Sequence, residues 1–356
     1  MPDLFSPLHA GDLRLPNRIV MAPLTRARAG RSHIPNELMA QYYAQRASAG
    51  LIMSEATMVA TEGCAFTGEG GLFDEACASG WRQVVDAVHA RGGRIVVQLF
   101  HPGRAAHSLL NAGVQPISST DRAIRGGTIR TPAGARPYER PRRLETREIP
   151  GIVASFRDAA ERAQRVGFDG VALHGAHGYL LDQFLRDGVN DRSDGYGGSI
   201  PNRSRLLLEA VDAAGDVLGY GRVAVRISPL VPFNDVSDSQ PAELVEYLSS
   251  ELGRRGIAFL ELRHADQAAP PEQALARLAR VHFSGALFVN GGFDQASGAA
   301  AVASGAADAV AFGRPFIANP DLVQRFASGA PLAGVDAATL YTSGSAGYTD
   351  YPPLAA

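Results

Sequence analysis

The chain has 356 residues, of which 46% are hydrophobic and 20% charged, and its formal net charge is −2. This composition is typical of a globular protein, and the near-neutral charge excludes the basic surface that nucleic-acid binding requires. No apolar run predicts a membrane span or a secretory signal, and Cys64 and Cys77 are too few for a four-ligand metal site. We therefore expect a cytoplasmic protein with two free thiols, either a monomer or a homodimer.

Eight apolar runs alternate with segments of helical composition along the chain. A turn–strand–turn segment at residues 11–18 comes first and predicts a small hairpin. Strands are then predicted at residues 19–22, 51–56, 94–99, 171–173, 222–227, 259–262, 286–290 and 309–313. Helices are predicted after them, at residues 36–46, 79–91, 152–166, 202–217, 241–255, 271–281, 294–304 and 319–328.

This alternation predicts an α/β fold, a closed (β/α)8 TIM barrel with the hairpin as an N-terminal cap. Parallel strands need crossover helices, and eight such strands close around a packed centre. An open doubly wound sheet is the alternative, but no Gly-x-Gly-x-x-Gly fingerprint follows the first strand. We expect residues 1–356 to form a single domain, in which residues 101–148, the long excursion after the third strand, cross the barrel mouth.

The fourth predicted strand runs directly into two histidines and a tyrosine, His174, His177 and Tyr179. Glycines at 175 and 178 allow the backbone to bend so that the three side chains converge. Two imidazoles and a phenol suit acid and electrophile chemistry. An imidazole pair is equally able to bind a metal, or to serve as buried hydrogen-bonding groups, so the other strand ends must decide.

Active sites of TIM barrels lie at the carboxyl ends of the strands, so the residues at those positions form a candidate set. Besides the histidine segment, the sequence places there Thr25, Glu55, Ala56, Gln98, Arg226, Asn290, Gly291, Gly292, Gly313 and Arg314. Hydroxyl, amide, guanidinium and glycine groups predominate. This is not the carboxylate- and histidine-rich set that a metal hydrolase uses.

A phosphorylated, redox-active heterocycle fits this set. Residues 290–292 and 313–314 end strands seven and eight, where such barrels often bind phosphate. Gln98 is able to donate and accept hydrogen bonds at the edge of a heterocycle. Arg226 places a fixed positive charge beside a ring that becomes anionic on reduction. FMN is the cofactor that these features favour.

The same residues carry a resemblance to a known family. The chain resembles the Old Yellow Enzyme family of flavin-dependent ene-reductases, most closely its branch of N-ethylmaleimide and pentaerythritol tetranitrate reductases. The matching segments are NRIVMAPLTR at 17–26, SEAT at 54–57, VQL at 97–99 with His101 and Gly103-Arg104, HGAHGYLLDQF at 174–184, DGYGGS at 194–199, residues 309–320 and GYTDYP at 347–352. The resemblance covers nearly the whole chain.

The resemblance implies a role for each matching site residue. Pro23, Thr25, Ala56 and Gln98 are expected to line the ring of non-covalently bound FMN, with Arg226 at its pyrimidine end and Gly292, Gly313 and Arg314 at the phosphate. Asn290 and Gly291 are expected to bind the cofactor because of their place at the end of strand seven. His174 and His177 are expected to hydrogen-bond the oxygen of an activated alkene, and Tyr179 to deliver a proton. Such alkenes include α,β-unsaturated carbonyls, maleimides and nitroalkenes. NADPH is the expected reductant, with NADH also possible, in ping-pong turnover.

The chain departs from the family pattern in the expected substrate pocket. Phe100 stands where tryptophan is usual and Phe66 where a tyrosine is usual, so both are expected to reshape the pocket walls. Tyr351, near the end of the chain, is expected to reach the pocket rim or to pack as a surface aromatic. A metal-dependent TIM-barrel hydrolase that uses His174 and His177 is kept as the alternative function, and a non-enzymatic scaffold as a third interpretation.

Overall fold

The computed structural model describes residues 1–354, and its centre is a closed barrel of eight parallel strands. The barrel strands, numbered in chain order, are Ile19–Met21, Leu51–Met58, Ile95–Phe100, Gly170–Gly175, Val223–Ile227, Phe259–Arg263, Ala286–Asn290 and Ala309–Phe312. The eighth strand pairs with the first, so every strand has two neighbours. The predicted (β/α)8 barrel is confirmed.

Helices surround this barrel. They are Glu37–Ala44, Glu75–His89, Ile149–Val166, Leu180–Leu185, Ile200–Leu218, Pro241–Arg255, Pro270–His282, Gln295–Ala303, Arg314–Ala318 and Leu322–Ser328. Because their apolar faces pack on the outer side of the strands, the strands are buried on both faces. This explains why the strand sequences are continuous apolar runs rather than alternating ones.

The N-terminal hairpin closes the amino-terminal end of the barrel. Its strands, Leu8–Ala10 and Leu13–Leu15, pair antiparallel. Their apolar side chains join one cluster with the residues that fill the barrel interior, among them Phe259 and Phe288. Gly11 makes the turn at a positive φ of 55°, and a Cβ there would lie 2.5 Å from the carbonyl oxygen of Gly221. The hairpin therefore leaves only the opposite end of the barrel open.

The excursion after the third strand covers part of that open end. Residues 101–148 contain a short helical turn, Ser108–Leu110, and the antiparallel pair Ile129–Thr131 and Gly134–Arg136. The hydroxyl of Ser118 donates to the side-chain oxygen of Gln183 at 2.8 Å, which ties the excursion to the helix after strand four. Ile129 and Tyr138 share a cavity with Tyr179. The long excursion after the third strand is therefore present, and its residues Ile129 and Tyr138 reach a cavity beside Tyr179.

Many element boundaries differ from those predicted by a few residues, and two of these differences have a clear local reason. The second strand extends to Met58 because a bulge between Met53 and Ala56 lets it continue past the polar Ser54–Glu55 pair. The predicted helix at residues 319–328 begins only at Leu322, because the ring of Pro320 disfavours a helical backbone at Asn319, whose φ is −130°. Asn319 donates instead from its side chain to the carbonyl oxygens of Pro315 and Ala333.

Two further sequence-based expectations concern thiols and membranes. Cys64 and Cys77 are both free and buried. Within residues 1–354, no helix combines the length and the apolar character needed to span a bilayer.

The stacked pair Phe259 and Phe288 at the barrel centre gives a test of this packing. Their ring centroids lie 4.1 Å apart and both side chains are fully buried. We expect Phe288→Ala to lower the free energy of unfolding by about 3–5 kcal/mol, because it removes buried area and leaves a cavity. Urea unfolding followed by circular dichroism measures this. Val281→Ala, at a 77% exposed position, is the control; equal losses in both variants would contradict the assigned core.

Candidate active site

A cavity of about 640 Å³ opens at the carboxyl ends of the barrel strands. All residues predicted as catalytic or cofactor-binding line it, namely Pro23, Thr25, Ala56, Gln98, His174, His177, Tyr179, Arg226, Asn290, Gly291, Gly292, Gly313 and Arg314. The lining also includes residues that the sequence analysis did not select, such as Leu24, Arg263 and Phe293. The structure thus brings one continuous set of side chains together from most of the strand ends.

His174, His177 and Tyr179 converge on one side of this cavity. The ring centroid of His174 lies 5.4 Å from that of His177 and 5.2 Å from that of Tyr179. His174 is still part of the fourth strand, in register with Arg226 on the fifth, whereas His177 lies in the following turn with a positive φ of 58°. The backbone N–H of His177 donates to the hydroxyl of Ser228 at 2.9 Å, which fixes the turn.

A buried ion pair in the helix after strand four stabilises the turn that contains His177. Asp182 and Arg186 lie one helical turn apart at 2.7 Å, and their side chains are 1% and 3% exposed. The second carboxylate oxygen of Asp182 accepts the N–H of Gly178 at 2.8 Å. Gly178 has a positive φ of 68°, and a Cβ there would lie 2.6 Å from the carbonyl oxygen of Phe233. Only glycine fits this position without strain.

Burial sets the protonation of the three converging side chains. Burial, reinforced by the charge of Arg226, holds the pKa of His174 and of His177 well below the usual imidazole range. Burial also raises the pKa of the Tyr179 hydroxyl well above its usual range, and the nearby Glu69 raises it further. At neutral pH the site therefore offers two neutral imidazoles and a protonated phenol. All three are able to donate hydrogen bonds.

Arg226, on the fifth strand, lines the cavity and contacts residues of the sixth and seventh strands. Its Nη2 donates to the side-chain oxygen of Asn290 at 2.8 Å, and Asn290 in turn donates to the carbonyl oxygen of Ala311 at 2.6 Å. Its Nε lies 3.4 Å from Glu261, whose side chain is fully buried. This network fixes the guanidinium while leaving the positive charge next to the cavity.

Several lining residues carry buried polar atoms that find no hydrogen-bond partner within residues 1–354. They are Nε2 of Gln98, Nδ1 of His174, Nε of Arg226 and Nη1 of Arg263. Buried donors and acceptors are rarely left unpaired in native proteins, because each unpaired group costs about 1–3 kcal/mol. These atoms fit a bound polar ligand. The donor set suits the edge of a flavin ring, and Gly291 and Gly292, both at positive φ, suit the close approach of a phosphate.

The three residues predicted to shape the substrate pocket occupy different positions. Phe66 lines a neighbouring aromatic cavity of about 530 Å³, together with Tyr179, Tyr138 and Tyr341. Phe100 is fully buried outside these linings, and its ring meets that of Tyr179 edge-on at 5.2 Å. Its ring also lies 6.4 Å from that of His174, so it acts on the pocket through these two side chains.

Tyr351 does not line these cavities, so the expectation that it reaches the rim is not met. Its hydroxyl accepts the N–H of Asp336 at 3.0 Å instead. Tyr341 borders the aromatic cavity in its place, and the sequence analysis missed it because the C-terminal segment folds back without a periodic pattern. Arg263 was also missed, although it is the last residue of the sixth strand and the strand-end rule selects it.

Comparisons with known proteins find relatives that match the chain over nearly its full length. The sequence profile described as the NADH:flavin oxidoreductase / NADH oxidase family matches residues 3–333. A probable flavin mononucleotide-dependent alkene reductase of Leishmania infantum is 45% identical over 354 residues, covering 98% of this chain and 97% of that protein. 12-Oxophytodienoate reductase 7 of Oryza sativa subsp. japonica is 43% identical over 373 residues, covering 99% and 94%.

Solved structures with the same fold also match over nearly the full length. The structure of morphinone reductase in complex with tetrahydroNAD superimposes with a TM-score of 0.96 at 44% identity, covering 100% of this chain and 98% of that one. The Old Yellow Enzyme homologue from Zymomonas mobilis gives a TM-score of 0.95 at 41% identity, covering 99% of both chains. The barrel and its mouth are therefore shared with these relatives.

The ion pair below the histidine turn gives a test of how the site is held. We expect Asp182→Asn to lower the free energy of unfolding by about 3–5 kcal/mol, because it leaves the charge of Arg186 buried without a counterion. Urea unfolding at neutral pH measures the change. Glu161→Gln breaks the exposed pair with Arg157 and should cost less than about 1 kcal/mol. If both variants unfold at the wild-type midpoint, the buried pair does not hold the turn.

Proposed function

Since the chain belongs to the NADH:flavin oxidoreductase / NADH oxidase family, which includes the Old Yellow Enzymes, we propose that it is an FMN-dependent ene-reductase. In this role it oxidises a reduced nicotinamide dinucleotide and reduces the C=C bond of activated alkenes. The observation that carries the proposal is the convergence of two neutral imidazoles and a protonated tyrosine at a cavity with unpaired buried donors.

The alternative of a metal hydrolase is not supported. The matching family consists of flavin oxidoreductases, and its profile covers residues 3–333. Within residues 1–354, His174 and His177 belong to no group of three or more potential metal ligands. The non-enzymatic scaffold is likewise disfavoured, because the relatives that match the full length are reductases.

The lining residues divide between the two ends of the cofactor. Pro23, Thr25, Ala56 and Gln98 would lie along the flavin ring, with Arg226 at the pyrimidine end. The loops at residues 290–292 and 313–314 would hold the phosphate. These residues would hold FMN, which would supply the two-electron redox chemistry between the reduced nicotinamide and the alkene.

His174 and His177 would bind the carbonyl or nitro oxygen of the alkene. Because their pKa values are lowered, they act as neutral N–H donors and stabilise the negative charge that develops on that oxygen. Loss of one such donor costs about 3 kcal/mol in other enzymes, so the pair accounts for several kcal/mol of the barrier. Tyr179 keeps its proton until the α-carbon accepts it.

The part of the substrate that is remote from its carbonyl or nitro oxygen is proposed to lie in the aromatic cavity. Phe66, Tyr138, Phe233 and Tyr341 line that cavity beside Tyr179. Such a lining suits flat, apolar α,β-unsaturated carbonyls, maleimides and nitroalkenes. Nicotinamide and alkene would contact the same imidazoles in turn, which leads to ping-pong kinetics.

The reductant is proposed to be NADPH, with NADH as the competing donor. The solved morphinone reductase complex with tetrahydroNAD supports an NAD-type nicotinamide in a site of this fold. The test is anaerobic incubation of FMN-loaded protein with either dinucleotide, followed by a cyclic enone and analysis of the product. A saturated ketone formed in step with dinucleotide oxidation supports the proposal, and loaded protein that neither dinucleotide reduces would refute it.

If Tyr179 is the proton donor, its loss should affect the two half-reactions differently, since only alkene reduction needs the proton. We expect Tyr179→Phe to slow alkene reduction by about 100-fold or more, because a positioned general acid is lost. Reduction by the dinucleotide should change less than about 3-fold, since that step needs no proton from Tyr179. Stopped-flow absorbance measures each half separately. Tyr138→Phe, which removes a neighbouring hydroxyl, is the control; equal slowing of both halves in Tyr179→Phe would remove the proton-donor role.

The shifted pKa values give a second expectation for the alkene half-reaction. The imidazoles stay neutral and Tyr179 stays protonated between about pH 6 and 9, because burial lowers the pKa of His174 and His177 and raises that of Tyr179. Glu69, whose pKa burial raises to about 8, ionises in this range and favours the protonated phenol further. The stopped-flow rate constant should vary less than about 3-fold over this range. A loss of rate below about pH 6.5 would mean that the imidazoles titrate normally.

A further inference from the structure

Arg263 is a cationic residue of the cavity that the functional assignment so far leaves without a role. It ends the sixth strand and borders both the main cavity and an adjoining cavity of about 540 Å³. Its Nη1 is buried and lacks a hydrogen-bond partner within residues 1–354. An unpaired buried guanidinium donor beside a cavity indicates a missing anionic or polar partner.

The backbone that carries Arg263 is held firmly. Arg263 is in register with Asn290 on the seventh strand, and the next residue, His264, donates its N–H to the carbonyl oxygen of Asn290 at 2.8 Å. Glu272 fixes the following turn: it accepts the N–H of Ala265 at 2.6 Å and lies 2.9 Å from Nδ1 of His264. The strand end from which the Arg263 side chain extends is therefore fixed.

The guanidinium points to the glycine loop after the seventh strand. A Cβ at position 291 would lie 2.8 Å from Nη1 of Arg263, so the guanidinium is next to the backbone of Gly291. Arg314, at the end of the eighth strand, borders the same two cavities. Arg263 thus adjoins the loop at residues 290–292, and Arg314 belongs to the neighbouring loop at residues 313–314.

The charges at the cavity call for a doubly negative ligand. Arg226, Arg263 and Arg314 are its positively charged lining residues, and Glu261 offsets one of these charges from behind Arg226. With the imidazoles neutral, Arg263 and Arg314 contribute a charge of about +2 that no carboxylate in the lining offsets. A phosphate monoester carries about −1.5 to −2 at neutral pH, which matches it.

We propose that Arg263 adds a second guanidinium to the phosphate loops, so that together with Arg314 it forms a clamp on the phosphate monoester of bound FMN. The assignment rests on the proposed function, because it presumes that FMN occupies the cavity. A planar guanidinium is well suited to phosphate, since it donates paired hydrogen bonds in a fixed geometry. The diphosphate of the nicotinamide dinucleotide offers similar chemistry, so the test must separate the two sources.

The test compares FMN with riboflavin, which lacks the phosphate. Protein stripped of cofactor is titrated with each flavin, and quenching of flavin fluorescence gives the dissociation constant. Arg263→Gln should weaken FMN binding by about 10- to 100-fold and riboflavin binding by less than about 3-fold. Arg263→Lys keeps the charge without the planar fork and should fall between wild type and Arg263→Gln. Arg277→Gln, an exposed arginine on the next helix, is the matched control and should bind FMN as wild type does.

Each other outcome overturns a defined part of the account. Equal weakening of FMN and riboflavin, with wild-type circular dichroism, would place Arg263 at the ring and overturn the clamp. Unchanged FMN affinity also overturns it, and if the dissociation constant for NADPH rises instead, the phosphate belongs to the dinucleotide. Wild-type protein that binds neither flavin would refute the proposed function itself, which is a separate result.

Discussion

Closure of the barrel is the constraint on which the rest of the structure depends. Because each parallel strand must pair on both sides, the eighth strand returns to the first and the carboxyl ends of all eight meet in one ring. The hydrogen-bond register then decides which side chains are neighbours. It sets His174 beside Arg226, Arg226 beside Glu261 and Arg263 beside Asn290. The composition of the cavity follows from this register, and the hairpin at the other end leaves one mouth.

The charge distribution at the barrel mouth depends on which strand-end side chains stay charged when they are buried. Burial and the charge of Arg226 keep both imidazoles neutral, so the histidines serve as hydrogen-bond donors without adding charge. The positive charge is instead carried by arginines, which stay protonated in proteins. A site built this way attracts an anionic cofactor and retains neutral donors for a substrate oxygen. Cofactor binding and substrate binding do not compete, because arginines bind the anion and neutral histidines donate hydrogen bonds to the substrate oxygen.

Much of this arrangement was predictable from local sequence. The apolar runs gave the eight strands, and the residues after them gave His174, Tyr179, Gln98 and the glycine loops, because strand ends always meet in a closed barrel. Features that depend on long-range folding were not predictable. The C-terminal segment returns to the mouth with Tyr341 rather than Tyr351, and Phe100 turns into the core. Neither has a periodic signal, since each is decided by tertiary packing.

The central claim is that the mouth of the barrel binds FMN through polar atoms that otherwise lack partners. A crystal structure of the protein purified with FMN tests it most directly. The account predicts an isoalloxazine ring within hydrogen-bond distance of Nε2 of Gln98 and of the Arg226 guanidinium, with the phosphate at the loops at residues 290–292 and 313–314. A flavin found outside this cavity, or oriented with its phosphate toward His174 and His177, would contradict the account.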